Sequence, residues 1–498
     1  MKTLLVGLLT FLLFDASAQR TARITVKAAE KANAVLVLTL ERVRFHETLG
    51  VGLAETQLDP VGVFDLGDEK EAAIPVEINQ PALVRLAISP KNAVSNASPG
   101  GKRDGNRTQL LYLEPGDELT IAVGNDNALT FQGKNAARQE FLQAYFLDNH
   151  YQYLPAFDFN PRKIDNAAIV QQSDSLAKLR TAKYEEFKAK HPVDGAFDSF
   201  VKATTHTESY LMRAVVKDRE IRRNKAMKMT AAQRGELSAI TRDNFKLFPD
   251  AALLSPSYRK ELREWILIPV NEKFPATETD GQALSPPALS AAYQASADKL
   301  RDYPKQQEYL LTYWLNYAAT ALPSVAEAKR LLPDFKQRYP KSEAKDYFTK
   351  IIATKEKLEK GLSAPDFTLL DKDSSAVSLS SLRGKPLAVA FAFNLKQHEP
   401  TLKLLEAAKG DSVLFVYVSV TAGIPFHTWK DYVEVRPHAL HLYASEEDIE
   451  KLKATYAIEP RFPFMVINAA GRIVNRWIPQ EFPDNPTLQK ELRSAVGR

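Results

Sequence analysis

The chain of 498 residues contains no cysteine. Disulfides, thiolate metal sites and thiol catalysis are therefore excluded together, and stability has to come from packing. Glycine is scarce too, 20 residues against 29 prolines, so the chain reads as many bounded elements rather than flexible linker. An excess of one charge is also missing. The 66 basic and 61 acidic residues leave +5, with no basic block of the kind that binds nucleic acid. After residue 18, no segment approaches the roughly 18 continuous apolar residues of a membrane-spanning helix.

What is present begins with Met1-KTLLVGLLTFLLFDASAQ. One Lys precedes an apolar run from Leu4 to Phe14, and Ala16-Ser17-Ala18 precedes Gln19. A short positive start, an apolar core and a small-x-small site predict a signal peptide over 1–18. The run is too short for a hydrocarbon core of roughly 30 Å, and no Cys follows to carry a lipid. The expected mature chain starts near Gln19, keeps no transmembrane segment, and is exported to the periplasm or envelope of a Gram-negative bacterium.

Three compositions follow, and the expected class is a multidomain α+β protein. Residues 19–134 hold short apolar or alternating runs (ARITVKA, AVLVLTLERV, AAIPVEI, ALVRLAI, QLLYLEP, ELTIAV) separated by Asp59-Pro60-Val61-Gly62, Ser98-Pro99-Gly100-Gly101 and Glu114-Pro115-Gly116-Asp117. That spacing predicts an antiparallel β-sandwich. Residues 135–358 place apolar residues at three- and four-residue intervals and predict a helical domain, with KLRDYPKQQEYLLTYWLNYAATAL read as one helical stretch. Residues 361–498 alternate strands (APDFTLLD, LAVAFAF, SVLFVYVSV, ALHLYAS, FPFMVINAAGRIV) with helices, an α/β domain of about five strands.

Residues 361–498 resemble the thioredoxin-like domain of envelope thiol-disulfide oxidoreductases of the TlpA and ResA type. The marks are Ala364-Pro365-Asp366-Phe367-Thr368-Leu369, Val377-SLSSLRG-Lys385, Trp429, Tyr456-Ala457-Ile458, Phe462-Pro463-Phe464-Met465-Val466-Ile467-Asn468 and Gly471-Arg472-Ile473-Val474. Leu111-YLEPGDELTI followed by Phe131-QGKNAARQEFL resembles the N-terminal domain often fused to such proteins. The resemblance implies a Cys-x-x-Cys turn between the strand LAVAFAF and the helix after it. Ungapped counting puts the two cysteine positions at Lys396 and Glu399. Matching Pro400, Leu402 and Leu405 to the family's Pro-x-Leu-x-x-Leu instead shortens the turn by about four residues and keeps the helix's apolar face in register. Either way this is a degenerate member without the dithiol.

The resemblance also implies a cis-proline loop at Phe462-Pro463, beside which an extended segment pairs in the family; the plainer alternative is that Pro463 only shapes a turn. Phe462, Pro463, Trp429, His398 and Glu399 are thus the candidate residues for an envelope protein or peptide partner. His398-Glu399 could be an acid–base pair, or ordinary polar residues of a first helical turn. His438-x-x-His441 has no third ligand in a motif and reads as surface histidines. No catalytic residue, cofactor or metal is assigned. The competing expectation is an enzyme with a non-thiol site in or next to the helical region.

Overall fold

The computed structural model describes residues 21–29, 34–42, 57–65, 71–90, 107–125, 128–147, 166–223, 230–274, 284–392, 406, 412–421, 423–433, 438–458, 462–479 and 485–496. The expected signal peptide and the residues Lys396, His398, Glu399 and Pro400 lie outside them. Two compact units divide the chain. One is Met1–Arg44, Thr56–Pro275 and Ala295–Gln307; the other is Phe45–Glu55, Ala276–Gln294 and Glu308–Arg498. No helix among the described residues is long and apolar enough to cross a membrane.

Among the described residues the first unit opens with eight strands: β1 (Thr21–Ala28), β2 (Ala34–Arg42), β3 (Gln57–Asp65), β4 (Glu71–Glu77), β5 (Ala82–Pro90), β6 (Arg107–Leu113), β7 (Glu118–Val123) and β8 (Leu129–Gln132). They form two four-stranded sheets, ordered β4-β1-β7-β8 and β3-β2-β5-β6. Alternate residues such as Ala22, Ile24 and Val26 of β1 and Leu36, Leu38 and Leu40 of β2 turn inward and meet in one core, as the two-residue period of a strand requires. The sandwich departs from the antiparallel expectation in one pair: β1 runs parallel to β7, with Arg23 opposite Glu118. The chain passes through the other sheet between these two strands, so no hairpin dictates their direction.

Asp59-Pro60-Val61-Gly62, read above as a turn, lies inside β3. Gly62 pairs with Leu38 and Pro60 with Thr39, so Val61 is the extra residue of a β-bulge. An edge strand tolerates a proline, which has no N–H to give, and a bulge absorbs the irregularity. The turn residues were real signals of a local break in pairing, not of a change of direction.

Helices α1 (Ala136–Leu147), α2 (Asn166–Lys190) and α3 (Gly195–Arg223) cover the outer face of the second sheet. Leu83, Leu110 and Tyr112 from that face pack with Leu142, Tyr145, Tyr184, Phe197 and Phe200. Strand β6 is an edge, and the buried Gln139 amide completes it: it accepts from the Tyr112 N–H at 3.1 Å and donates to the Tyr112 carbonyl at 2.6 Å. The side chain thus takes the place of a neighbouring strand. Helices α4 (Ala231–Asn244) and α5 (Pro256–Lys273) follow. The stretch 299–322, read as one helix, is broken at its start: α6 (Pro286–Lys299) ends on its first residue and α7 (Pro304–Asn316) begins only at the proline, because proline fits a first turn and breaks an interior.

The phrase Leu111-YLEPGDELTI and the residues after Phe131 are held together by polar contacts. Arg138 bridges Glu114 (3.0 Å) and Asp194 (2.7 Å), while Asp194 caps α3 by accepting from Ala196 and Phe197. Asp117 holds the turn by accepting from the Glu114 N–H and from Asn135. Burial, together with a hydrogen bond to Asp194 and against the pull of Arg138, pushes the Glu114 carboxyl up to about 7. A carboxyl raised on folding binds its proton more tightly in the native state, so its stabilising effect is present at low pH and fades as pH rises from the ordinary carboxylate range through about 7. Glu114→Gln is therefore expected to flatten the pH dependence of melting between about pH 5 and 8. Parallel melting curves of the two proteins check this, and identical slopes would remove Glu114 as the cause.

In the second unit, α8 (Ala326–Arg338) and α9 (Ala344–Glu356) precede a seven-stranded sheet ordered β10-β9-β13-β12-β11-β14-β15. Its members are β9 (Thr368–Leu370), β10 (Ala376–Ser378), β11 (Leu387–Ala392), β12 (Leu414–Ser419), β13 (Ala439–Tyr443), β14 (Phe464–Ile467) and β15 (Ile473–Ile478). Strands β11, β12 and β13 are mutually parallel, and β14 and β15 return antiparallel through a hairpin at Gly471, whose φ of 78° suits glycine. This is a thioredoxin-like arrangement, in which the expected strand of Ala364–Asp371 forms β9 and the short β10 is added as its hairpin partner. Strand β11 is buried at all six positions, which is why it reads as an unbroken apolar run. Helices α10 (Phe426–Tyr432), α11 (Glu446–Tyr456) and α12 (Pro486–Val496) complete the described part.

Candidate functional site

The C-terminal end of β11 is where the resemblance places chemistry. Its last residues, Phe391 and Ala392, are tied to the rest of the sheet by the Phe391 N–H donating to the Pro463 carbonyl (2.8 Å) and the Val420 N–H donating to the Ala392 carbonyl (3.1 Å). Pro463 therefore sits at the entry to β14, directly beside β11. Phe462 is 5% exposed and meets Trp477 edge to face, ring centres 6.2 Å apart. The Phe462 ring is therefore part of the packing and not of the surface.

Arg476, on β15, is almost wholly buried. Its Nε donates to the Tyr456 carbonyl (3.1 Å), Nη1 to the Phe462 carbonyl (2.8 Å) and Nη2 to the Ala457 carbonyl (3.5 Å). The guanidinium also lies over the rings of Phe391 (4.9 Å) and Trp477 (4.8 Å). The other side of the setting is Lys355 of α9, 1% exposed, with Nζ 4.1 Å from the Trp477 ring centre and 3.5 Å from the Thr320 carbonyl. Burying these cations is tolerable because carbonyls and aromatic faces replace water. Sequence reasoning missed both; an Arg in an apolar strand was the only signal.

Trp429 is a member of a different cluster. It is 2% exposed and packs against Phe426 (5.6 Å) and Tyr443 (5.4 Å). Tyr443 fixes that cluster by donating to the Ile424 carbonyl at 2.9 Å. The Trp429 indole N–H is buried and has no hydrogen-bond partner among the described residues. His398 and Glu399 fall outside the described residues, so the geometry of the candidate set covers Phe462, Pro463 and Trp429.

His441 departs from the surface reading. It lies in β13, buried, with its ring stacked on Tyr417 at 4.7 Å, and Tyr417 donates to the buried Glu406 carboxylate. Among the described residues no group of three or more His, Asp or Glu could hold a metal ion. The segment Ala364–Leu369, which carries part of the resemblance, is structural as well. Asp366 accepts from the Phe367 N–H (3.0 Å), the Ser380 N–H (2.9 Å) and the Ser380 hydroxyl (2.5 Å). Burial works against its charge, but the Ser380 bonds prevail and hold the carboxyl below its ordinary range. Tyr456 donates to the Pro365 carbonyl. A small cleft bounded by Asp366, Ser380, Arg383 and Asn468 has room for about one water molecule.

The displaced carboxylates of the first unit are equally enclosed. Burial pushes Glu261 up to about 7 and raises Glu208 as well, but these residues are 2% and 3% exposed. Glu261 accepts from the Thr241 hydroxyl, and Glu208 is engaged by Arg180 and Tyr145. Perturbed titration here marks helix fastening rather than a group that a substrate can reach.

No family model matches the chain, and no curated protein matches it. Among solved structures it is similar to the thioredoxin domain of a thiol-disulfide oxidoreductase from Bacteroides vulgatus, at 21% identity, covering 28% of this chain and 96% of that one, with a TM-score of 0.22. It is also similar to BsSco, a member of the Sco family of cytochrome c oxidase assembly proteins (18% identity, 28% and 96% covered, TM-score 0.24). A third is copper-bound ScoI from Bradyrhizobium japonicum (18% identity, 27% and 99% covered, TM-score 0.22). Each likeness is confined to little more than a quarter of this chain and is a likeness of fold.

Proposed function

We propose that this is an exported thioredoxin-like protein without thiol redox activity, which binds an extended segment of a protein or peptide partner in the envelope beside Phe462–Pro463. The observation that carries the reading is the complete absence of cysteine from a chain that keeps a buried β11 and a proline at the entry to β14. Thiol–disulfide exchange proceeds by thiolate attack through a mixed disulfide, and no residue here can form one. What a proline-led strand entry can still do is present main-chain groups to an extended chain, a mode in which backbone pairing supplies the attraction. The signal-peptide pattern of residues 1–18 supports the compartment.

Two assays test this. In insulin reduction with dithiothreitol, the rate should equal that of buffer, and turnover above it would refute the redox-inactive reading. In a binding assay, the full chain should retain reduced, carboxymethylated α-lactalbumin, an extended chain, over the native form of the same protein. Equal retention of both forms, or of neither, would count against an extended-peptide site.

A further inference from the structure

We propose that Arg476 is the positioning residue of the Pro463 segment, holding both ends of the 457–462 stretch so that Phe462–Pro463 is preformed before any chain docks. This rests on the extended-peptide reading above for its purpose, but not for its geometry. The three carbonyls that Arg476 reaches come from both sides of the stretch: Tyr456 and Ala457 where helix α11 ends, Phe462 where β14 is about to begin. Ala457 has a left-handed backbone, φ 45°, a conformation that a non-glycine residue keeps only when its surroundings enforce it. The Arg476 contact to its carbonyl is one such constraint, and the Ala457 N–H bond to the Lys453 carbonyl (3.0 Å) is another.

The chemistry requires arginine. A guanidinium is flat and carries five N–H donors in a fixed fork, so one side chain can serve carbonyls in different directions while its faces lie on Phe391 and Trp477. A lysine at this position keeps the charge but offers a compact head that cannot span the same acceptors. With Arg476 in place, Phe391 is both the ring beneath the guanidinium and the donor to Pro463. The strand before the missing redox turn and the proline segment are thereby locked to the same residue.

The test compares the full chain with its Arg476→Lys and Arg476→Met variants. Backbone amide exchange is read for Ala457, Ile458 and Phe462 and separately for β11 and β12, and retention of carboxymethylated α-lactalbumin is measured alongside. Both variants are expected to speed exchange at Ala457, Ile458 and Phe462 by tenfold or more while β11 and β12 stay within twofold, and to weaken retention by tenfold or more. Failure of Lys to rescue is the signature of fork geometry rather than charge. Unchanged exchange at these three amides, or acceleration spread evenly over β11 and β12, would overturn the proposal and make Arg476 an ordinary core residue. Should Arg476→Met fail to fold, Arg476→Lys decides by the same comparison. If the unaltered chain retains no probe while the local exchange effect appears, the peptide reading falls and the positioning role stands.

Discussion

Glu208→Ala should be among the most damaging single substitutions in the first unit, lowering its stability by about 3–5 kcal/mol. Arg180 and Glu208 are 2% and 3% exposed and meet at 2.6 Å. Tyr145 donates its hydroxyl to the same carboxylate oxygen (3.0 Å), offers its carbonyl to Arg180 (3.1 Å), and lies with its ring 4.0 Å beneath the guanidinium. These residues come from α1, α2 and α3, so one carboxylate fastens three helices. Removing it strands a cation that cannot recover its hydration, which costs far more than the loss of an exposed ion pair. The double variant Arg180→Met/Glu208→Leu should recover most of the loss, because apolar side chains of similar size avoid the desolvation altogether. Denaturant titration of the three proteins checks the pattern. A loss below about 1 kcal/mol for Glu208→Ala would mean that water reaches the site.

Trp429 is expected to behave as core. Trp429→Ala should cost the second unit about 3–5 kcal/mol, as truncation of a buried aromatic does when its cavity cannot collapse. Trp429→Phe should cost less than about 1.5 kcal/mol, because it keeps most of the contact with Phe426 and Tyr443 and removes a buried N–H that has no acceptor among the described residues. Equal losses in the two variants would show that the indole N–H has a partner of real value. The contrast also bears on function. A loss of binding seen only in Trp429→Ala reports a damaged domain, whereas a loss seen in Trp429→Phe at full stability would place the indole at the partner.

Period and punctuation made most of the fold legible. In β1 the alternation of TARITVKA maps directly onto Ala22, Ile24 and Val26 facing inward, and the continuous run of β11 predicted a strand covered on both faces. Reading went wrong where one residue type serves two purposes. Pro60 and Gly62 mark turns in most contexts but here mark a bulge on an edge, and Pro304 starts a helix inside what looked like the middle of one. The direction of β1 against β7 was not legible, because strand polarity across a sandwich depends on the route of the intervening chain and not on either strand's residues.

The candidate site was legible in outline only. Phe462 and Pro463 stood out through their place in a motif, and the structure puts Pro463 beside β11. Arg476 did not stand out, since its partners lie 14 to 20 residues away and are carbonyls, which carry no side-chain signature. His441 was misjudged for a related reason: the face of β13 that it occupies is set by Tyr417 on the neighbouring strand.

The parallel pairing of β1 with β7 has a consequence for how the molecule is made. Strand β1 leaves the ribosome before the other described strands, yet it belongs inside its sheet, between β4 and β7, and half of its bonding partners arrive only with Glu118–Val123. An apolar strand with an open edge must therefore wait for almost a hundred residues of later synthesis. Such long-range closure is slow and leaves the waiting segment prone to association with other chains. Assembly of the first unit is thus timed by its seventh strand, and a chain interrupted before residue 118 retains its earliest strand without the neighbour that completes it.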